Sequence, residues 1–518
     1  MNESKPKEFG RIRAALFPVY RHEIKKLIPM FILMFFICFN YTVLRNLKDA
    51  LVLTAKHSGS EVIPAIKLYV MFPAAILGVL LYTKLSQHYS QERVFYLIVS
   101  GFFLFFGLFA FVIYPNVEYL HPVDSVVFLQ EHLPTGFKGI IAMYGNWTFT
   151  LFYLFAELWA CLVLNVLFWG FANQVMSLGE AMRFYSIFHI GSNIGTCVAS
   201  LVSISVTNWI HKSHGVVQVQ DEFGQLLTYL LPIVVFSCIA IMMMFRWINS
   251  HVSLDPWVHQ APKRKKKHSL RESFAYLTQS KYLLCIAVMV ISYNLFTNCV
   301  EVIWKDRLRE LYPNTIDLNN YLNVISLLTG TLSVGMALIM PWVIKKKGWC
   351  FTAMITPIVT LLTSAGFFFF LINQDTLAYP IATLIGGTSL GIVVFFGGLH
   401  NTLTKAGKYS VFDVTKEMSF IPLDHEVKQN GKAVIDGVGS RLGKSGASLV
   451  QNILLLFYSS LISCVPIIAA VLFIVIIAWF MAVRSLNKQF TTLNSSKETE
   501  PSPETGDYID GDLVGAPA

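Results

Sequence analysis

Apolar residues in this chain fall in long runs separated by short polar stretches. Twelve runs stand out, at 27–45, 62–82, 94–114, 144–169, 184–206, 226–246, 282–302, 321–344, 349–372, 378–399, 446–463 and 465–483. Most are close to the roughly 20 residues a helix needs to cross a bilayer. The last two runs touch, and Pro466 is an alternative point of division. The pattern predicts an all-α polytopic membrane protein with twelve transmembrane helices.

The pattern is most disturbed at 40–67, NYTVLRNLKDALVLTAKHSGSEVIPAIK, where Arg45, Lys48, Asp49, Glu61 and Lys67 gather at one end of a hydrocarbon-length hairpin. The motif returns as YNLFTNCVEVIWKDRLRELYP (293–313), with Lys305 and Asp306 in the places of Lys48 and Asp49, 257 residues further on. That interval is about half the chain. It predicts two pseudo-symmetric six-helix bundles facing one another across a path.

Composition agrees with the run pattern. The chain is 54% hydrophobic and 14% charged, with 41 Phe, whereas about a quarter of the residues of an ordinary soluble domain are charged. The eight cysteines lie within or at the ends of apolar runs, without CxxC or metal-ligand spacing, and read as small core residues. The polar, mixed-charge start (1–26) has the character of neither a signal peptide nor a transit peptide, and a bacterial cytoplasmic membrane fits best.

Charge then sets the orientation. Arg11, Arg13, Arg21, Lys25 and Lys26, the run PKRKKKHSLR (262–271), Lys345 to Lys347, and Arg484 with Lys488 all fall on one side when twelve spans are threaded. The positive-inside rule makes that side, and both termini, cytoplasmic. The expected domains are a cytoplasmic segment 1–26, a first bundle 27–247, a basic linker 248–281, a second bundle 282–484 and a disordered acidic tail 485–518. The linker is expected to bind anionic lipid head groups. The second bundle is expected to carry a long cytoplasmic insertion at about 401–445, because its counterpart near 171–195 is much shorter.

Four ionisable residues sit in the runs themselves: Lys67 between Pro64 and Pro73, Glu157 in mid-run, Glu301 ending run 7 and Lys444 opening run 11. A charge at mid-depth costs a few kcal/mol, so such residues point to a charge-lined cavity. Plain structural roles exist for each: snorkelling for Lys67, an interhelical hydrogen bond for Glu157, a wet helix end for Glu301 and an interfacial anchor for Lys444. In the functional reading Lys67 and Lys444, helped by Arg45 and Asn193, hold a polyanion. Glu157 and Glu301 then neutralise the vacant site, so that no buried charge is left alone at any step.

Other chemistries find little support. GVGSRLGKSG (437–446) looks like a P-loop, but that motif needs a glycine where Val438 stands, and no strand precedes it. The 13 histidines form no HExxH, so neither an ATP-hydrolysing engine nor a membrane enzyme is expected. A channel or receptor would need neither duplicated halves nor opposite charges at their centre.

At these residues the sequence resembles the non-mitochondrial ATP:ADP antiporters of chlamydiae, rickettsiae and plastids. The blocks that carry the resemblance are LRNLKDALVLTAKHSGSEVIPAIK (44–67), AELWACLVLNVLFWGFANQ (156–174), VEVIWKDRL (300–308), GKYSVFDVTKEMSFIPLD (407–424) and GKAVIDGVGSRLGKSG (431–446). The resemblance implies a major-facilitator-like fold and ATP/ADP exchange without hydrolysis or a cofactor. It also implies transport-essential charges at Lys67, Glu157, Glu301 and Lys444. The family's GAN block reads GSN (191–193) here, leaving the amide at Asn193. Paralogues that carry GTP, UTP, CTP or NAD, by exchange or proton symport, share these motifs and stand as the alternative. Tyr153, Phe155 and Trp159 are the candidates for stacking on a base. The implied setting is the inner membrane of an intracellular bacterium. The implied partners are ATP and ADP, with phosphate left open and nucleic acid excluded, and the working unit is expected to be a monomer.

Overall fold

The computed structural model describes residues 20, 23–176, 178–214, 221–251, 280–385, 387–423, 427, 431–432 and 434–499. The basic linker run 262–271 and the acidic tail from 500 lie outside the described residues. The described chain is all α: α1 (Ile24–Thr54), α2 (Val62–His88), α3 (Gln91–Leu120), α4 (Trp147–Asn173), α5 (Leu178–His214), α6 (Glu222–His251), α7 (Lys281–Leu311), α8 (Thr315–Ile372), α9 (Gln374–Leu384), α10 (Ser389–Ser419), α11 (Ser440–Phe457) and α12 (Val465–Thr499). Among the described residues nine helices are long and apolar enough to cross a membrane, or ten if the bent pair α9 and α10 is one span. The protein is therefore a multi-pass helical membrane protein. Large side chains such as Phe236, Leu362 and Ile474 are about two-thirds exposed, the surface a lipid-facing helix presents.

Local sequence starts and breaks these helices. Ser90, Ser280 and Asn314 cap α3, α7 and α8 by accepting from the backbone N–H of Arg93, Leu283 and Ile316. The two apolar runs 321–344 and 349–372 form one helical stretch, α8, interrupted at Gly348. Its φ of 79° is the left-handed conformation that glycine adopts without strain.

Several helices outrun their apolar pattern. α1 continues to Thr54 and α7 to Leu311, so Lys48, Asp49 and Lys305 stand inside helices and not in the turns beyond them. Their polar side chains pair with one another, which lets the helix continue where hydropathy falls. The same holds at 401–445, the expected insertion: α10 is helical through Ser419 and helix resumes at Ile435, ahead of α11. α11 ends at Phe457, several residues before the apolar run 446–463 does, and a turned segment separates it from α12.

α1 packs against α4, α5 and α6, and α7 packs against α10, α11 and α12. The two groups meet where α5 and α1 cross α8 and where α2 touches α11. At the α5–α8 crossing a Cβ added to Gly330 would lie 2.7 Å from Cys197 Sγ and 3.2 Å from the Asn193 carbonyl oxygen. This close approach fixes the depth at which the groups touch.

Candidate functional site

Where the two groups converge, six charged side chains form one chain of ion pairs. Lys48 Nζ lies 3.0 Å from Glu157 and 2.8 Å from Asp49 Oδ1, while Lys305 Nζ lies 2.7 Å from Asp49 Oδ2 and 2.9 Å from Glu301. Lys405 Nζ closes the series, 3.1 Å from Glu301 Oε1. Three cations and three anions cancel. The order Glu157, Lys48, Asp49, Lys305, Glu301, Lys405 runs from α4 through α1 to α7 and α10. Asp49 is buried between the two lysines, so its charge is stabilised only while both helices stay together. The neighbouring contacts reinforce this end: Thr54 shares a 2.7 Å hydrogen bond with Thr315, Ser60 donates to Asp306 at 2.5 Å, and Asn46 donates to Asn323 at 2.9 Å. The molecule is thus sealed toward the α1–α2 turn.

The remaining cations are arranged differently. Lys67 donates to Asn298 Oδ1 at 2.9 Å, and Arg45 donates to Ser326 Oγ at 2.9 Å, each bridging the two groups through a neutral acceptor. Lys444 is exposed to water, one residue past the point where Gly443 meets Ile291 and Asn294 of α7. It is nevertheless within electrostatic range of Glu157, Cys161, Glu301 and Lys408 on three other helices, so it points into a wet cleft between them. Arg441, one turn before it, reaches Cys161 of α4. Among the described residues neither Lys67 nor Lys444 has a carboxylate within ion-pairing distance.

The four charges singled out from the sequence are therefore brought to one region, but not as two lysine–glutamate pairs. Glu157 and Glu301 are held by Lys48, Lys305 and Lys405, and the phosphate-binding candidates Lys67, Lys444 and Arg45 are left over. Asn193 sits at the α5–α8 crossing, its amide donating to His189 O of its own helix. The aromatic candidates each have a partner within the helix packing. Tyr153 is fully buried with Lys48 Nζ 3.6 Å from its ring centroid, Phe155 stacks on Phe105 at 3.7 Å, and buried Trp159 donates to Ile37 O. The apolar face of α4 is occupied in joining α1 and α3.

Lys405, Lys408 and Asn298 were not singled out from the sequence. Lys405 and Lys408 are hidden in a polar stretch that reads as a loop, although their i, i+3 spacing on a helix puts both on one face. A common backbone feature marks the helices around the cleft. α2 is π-helical over Ile66–Met71, α4 over Trp159–Phe168 and α10 over Lys408–Phe412, and another π segment at Ile435–Gly439 leads into α11. Such wide turns recur at functional positions. Here they fall at Lys67, just after Glu157, at Lys408 and just before Lys444.

The family model of the TLC ATP/ADP transporter matches residues 2–490. This chain belongs to that family. As a member of the TLC family it is a secondary transporter and not an enzyme. It is 41% identical over 512 residues to ADP,ATP carrier protein 1 of Chlamydia muridarum (strain MoPn / Nigg), with 98% of this chain and 96% of that protein covered. The chloroplastic ADP,ATP carrier protein 1 of Arabidopsis thaliana is 39% identical over 494 residues, covering 95% and 78%. Among solved structures, a mutant of the nucleoside transporter NupG gives a TM-score of 0.55 at 11% identity, covering 88% of this TLC transporter and 99% of that chain. A bacterial homologue of the iron transporter ferroportin, in an inward-facing state, gives 0.52 at 11% identity, covering 92% and 100%. At such identities the likeness is one of fold alone.

Proposed function

We propose that this protein exchanges ATP for ADP across a bacterial inner membrane by alternating access, importing ATP in return for ADP without hydrolysis. The observation that carries the reading is the charge balance of the site. The ion-pair chain is neutral in itself, and Lys67, Lys444 and Arg45 are left as cations without anionic partners among the described residues around a wet cleft, which is what a polyphosphate requires. The similarity to ADP,ATP carrier proteins supplies the identity of the anion.

Twelve spans follow if both arms of α8 are counted, α9 and α10 are taken as one, and α11 is admitted despite its low hydropathy. The major-facilitator-like arrangement in two six-helix bundles, with both termini cytoplasmic, rests on the internal echo, the one-sided basic residues and the fold likeness to transporters. In that orientation the sealed end faces outward and the cleft opens inward.

Proteoliposomes loaded with ADP and challenged with labelled ATP provide the test. Uptake should require internal nucleotide and survive a protonophore. Uptake into empty vesicles, or its collapse with the proton gradient, would reassign the protein as a symporter. Single cysteines at positions 217 and 265 should label from opposite faces of the membrane, and labelling from one face would sink the topology.

A further inference from the structure

We propose that Tyr41 of α1 and Tyr409 of the π segment within α10 form the platform that takes the flat base of the nucleotide, with the Arg45 guanidinium between them. The inference rests on the nucleotide reading of the cleft and gives it an aromatic end.

Most large aromatic rings in the interior are committed. Tyr293 is buried and stacked on Phe412 at 5.1 Å, Phe152 lies against Phe106 and Phe109, and Trp304 donates to Val394 O. Tyr41 and Tyr409 differ. Both are only half-buried, and among the described residues neither hydroxyl has a hydrogen-bond partner. They come from the two groups of helices, yet Tyr41 lies within electrostatic range of Tyr409, Arg45, Glu157 and Lys48. Arg45 Cζ stands 5.5 Å from the centroid of the Tyr41 ring and within range of Tyr409, and Lys408 Nζ stands 5.0 Å from the Tyr409 ring.

Two half-buried rings, each already visited by a cation and within electrostatic range of one another, suit a planar, polarisable group. Stacking between aromatic rings and a guanidinium tolerates any base, because each base has a π face. Glu157 is an electrostatic neighbour of Tyr41 and also of Lys67 and Lys444. The aromatic end thus adjoins the cationic end, so one molecule with a ring at one end and phosphates at the other spans both. The π-helical winding at Lys408–Phe412 displaces Tyr409 from the regular face of its helix.

Photolabelling of the full-length wild type with 8-azido-ADP tests this directly. Labelled peptides should contain Tyr41 or Tyr409, and excess ADP should abolish the label. If the wild type exchanges nucleotide but the ADP-protected label lies elsewhere or nowhere, the platform is overturned. Absence of both exchange and label removes the nucleotide reading and the platform with it. Calorimetry on purified variants gives the second readout: Tyr41→Leu and Tyr409→Leu should each weaken ADP binding by roughly 5- to 100-fold. Binding of inorganic triphosphate should be unchanged, and Tyr41→Phe and Tyr409→Phe should bind ADP as the wild type does. A parallel loss of both ligands in the Leu variants, or no loss of ADP, contradicts the platform.

Discussion

Lys48–Asp49 and Lys305–Asp306 are the same dipeptide 257 residues apart, yet their aspartates have different fates. Asp49 is buried and accepts from lysines of both groups. Asp306 is partly open to water and is shared between Ser60 of α2's leading turn and Arg307, its own neighbour in sequence, at 2.6 Å. Each aspartate therefore reaches across to the other group, one to a charge and the other to a hydroxyl. A hydroxyl can be exchanged for water at little cost, whereas a buried carboxylate between two ammonium groups cannot. The two latches share a dipeptide, and their surroundings make one strong and one weak.

Removing the charge of each aspartate separates the two most clearly. Asp49→Asn leaves Lys48 and Lys305 without a shared anion in a dry site, and should cost about 3–5 kcal/mol. A fall in thermal stability that is no larger than for a surface substitution would refute this. The next largest effect concerns the cations outside the ion-pair chain. Lys67→Gln and Lys444→Gln should each weaken nucleotide binding by about ten-fold or more, the worth of a charge-assisted hydrogen bond. Stability should hardly change, since neither lysine has an anionic partner among the described residues. Unchanged affinity would mean that the phosphates are held elsewhere. Asp306→Asn should destabilise the protein by only about 1 kcal/mol, and equal losses for Asp306→Asn and Asp49→Asn would erase the distinction between the latches. Smallest in binding is Glu157→Gln: Lys48 keeps Asp49, so nucleotide should bind as tightly or more tightly, while exchange slows. If binding and exchange fall in proportion, Glu157 is a substrate contact or a strut.

The membrane class, the family and the gathering of Lys67, Glu157, Glu301 and Lys444 in one region were legible because an ionisable residue inside an apolar run has few bland explanations. The partners of those charges were not. Hydropathy ends a run where polar residues begin, and Lys48, Asp49 and Lys305 are polar residues whose neutralisation happens only across the interface of two distant segments. Lys405, Lys408 and Tyr409 were lost for the same reason: GKYSVFDVTK reads as a loop in sequence, and its helix exists because α8 and α7 cover it. The packing of the stacking candidates on α4 was hidden in the opposite direction. An aromatic residue beside a charge in sequence is one helical step away from it, and that step turns Phe155 and Trp159 to the neighbouring helices.

The π segment at Ile66–Met71 has a consequence for how this protein tolerates length changes. A wide turn holds one residue more than regular α winding requires. Losing a single residue there would let the backbone hydrogen bonds of α2 re-form without a gap, so the helix itself would survive. The cost would fall on direction, because one residue of winding is about 100° of rotation. Everything beyond the deletion, down to His88, would keep its helix but present a different set of side chains to lipid and to α4, or else Lys67 would swing away from Asn298. A deletion that looks harmless to secondary structure would in this way re-aim a whole helix face.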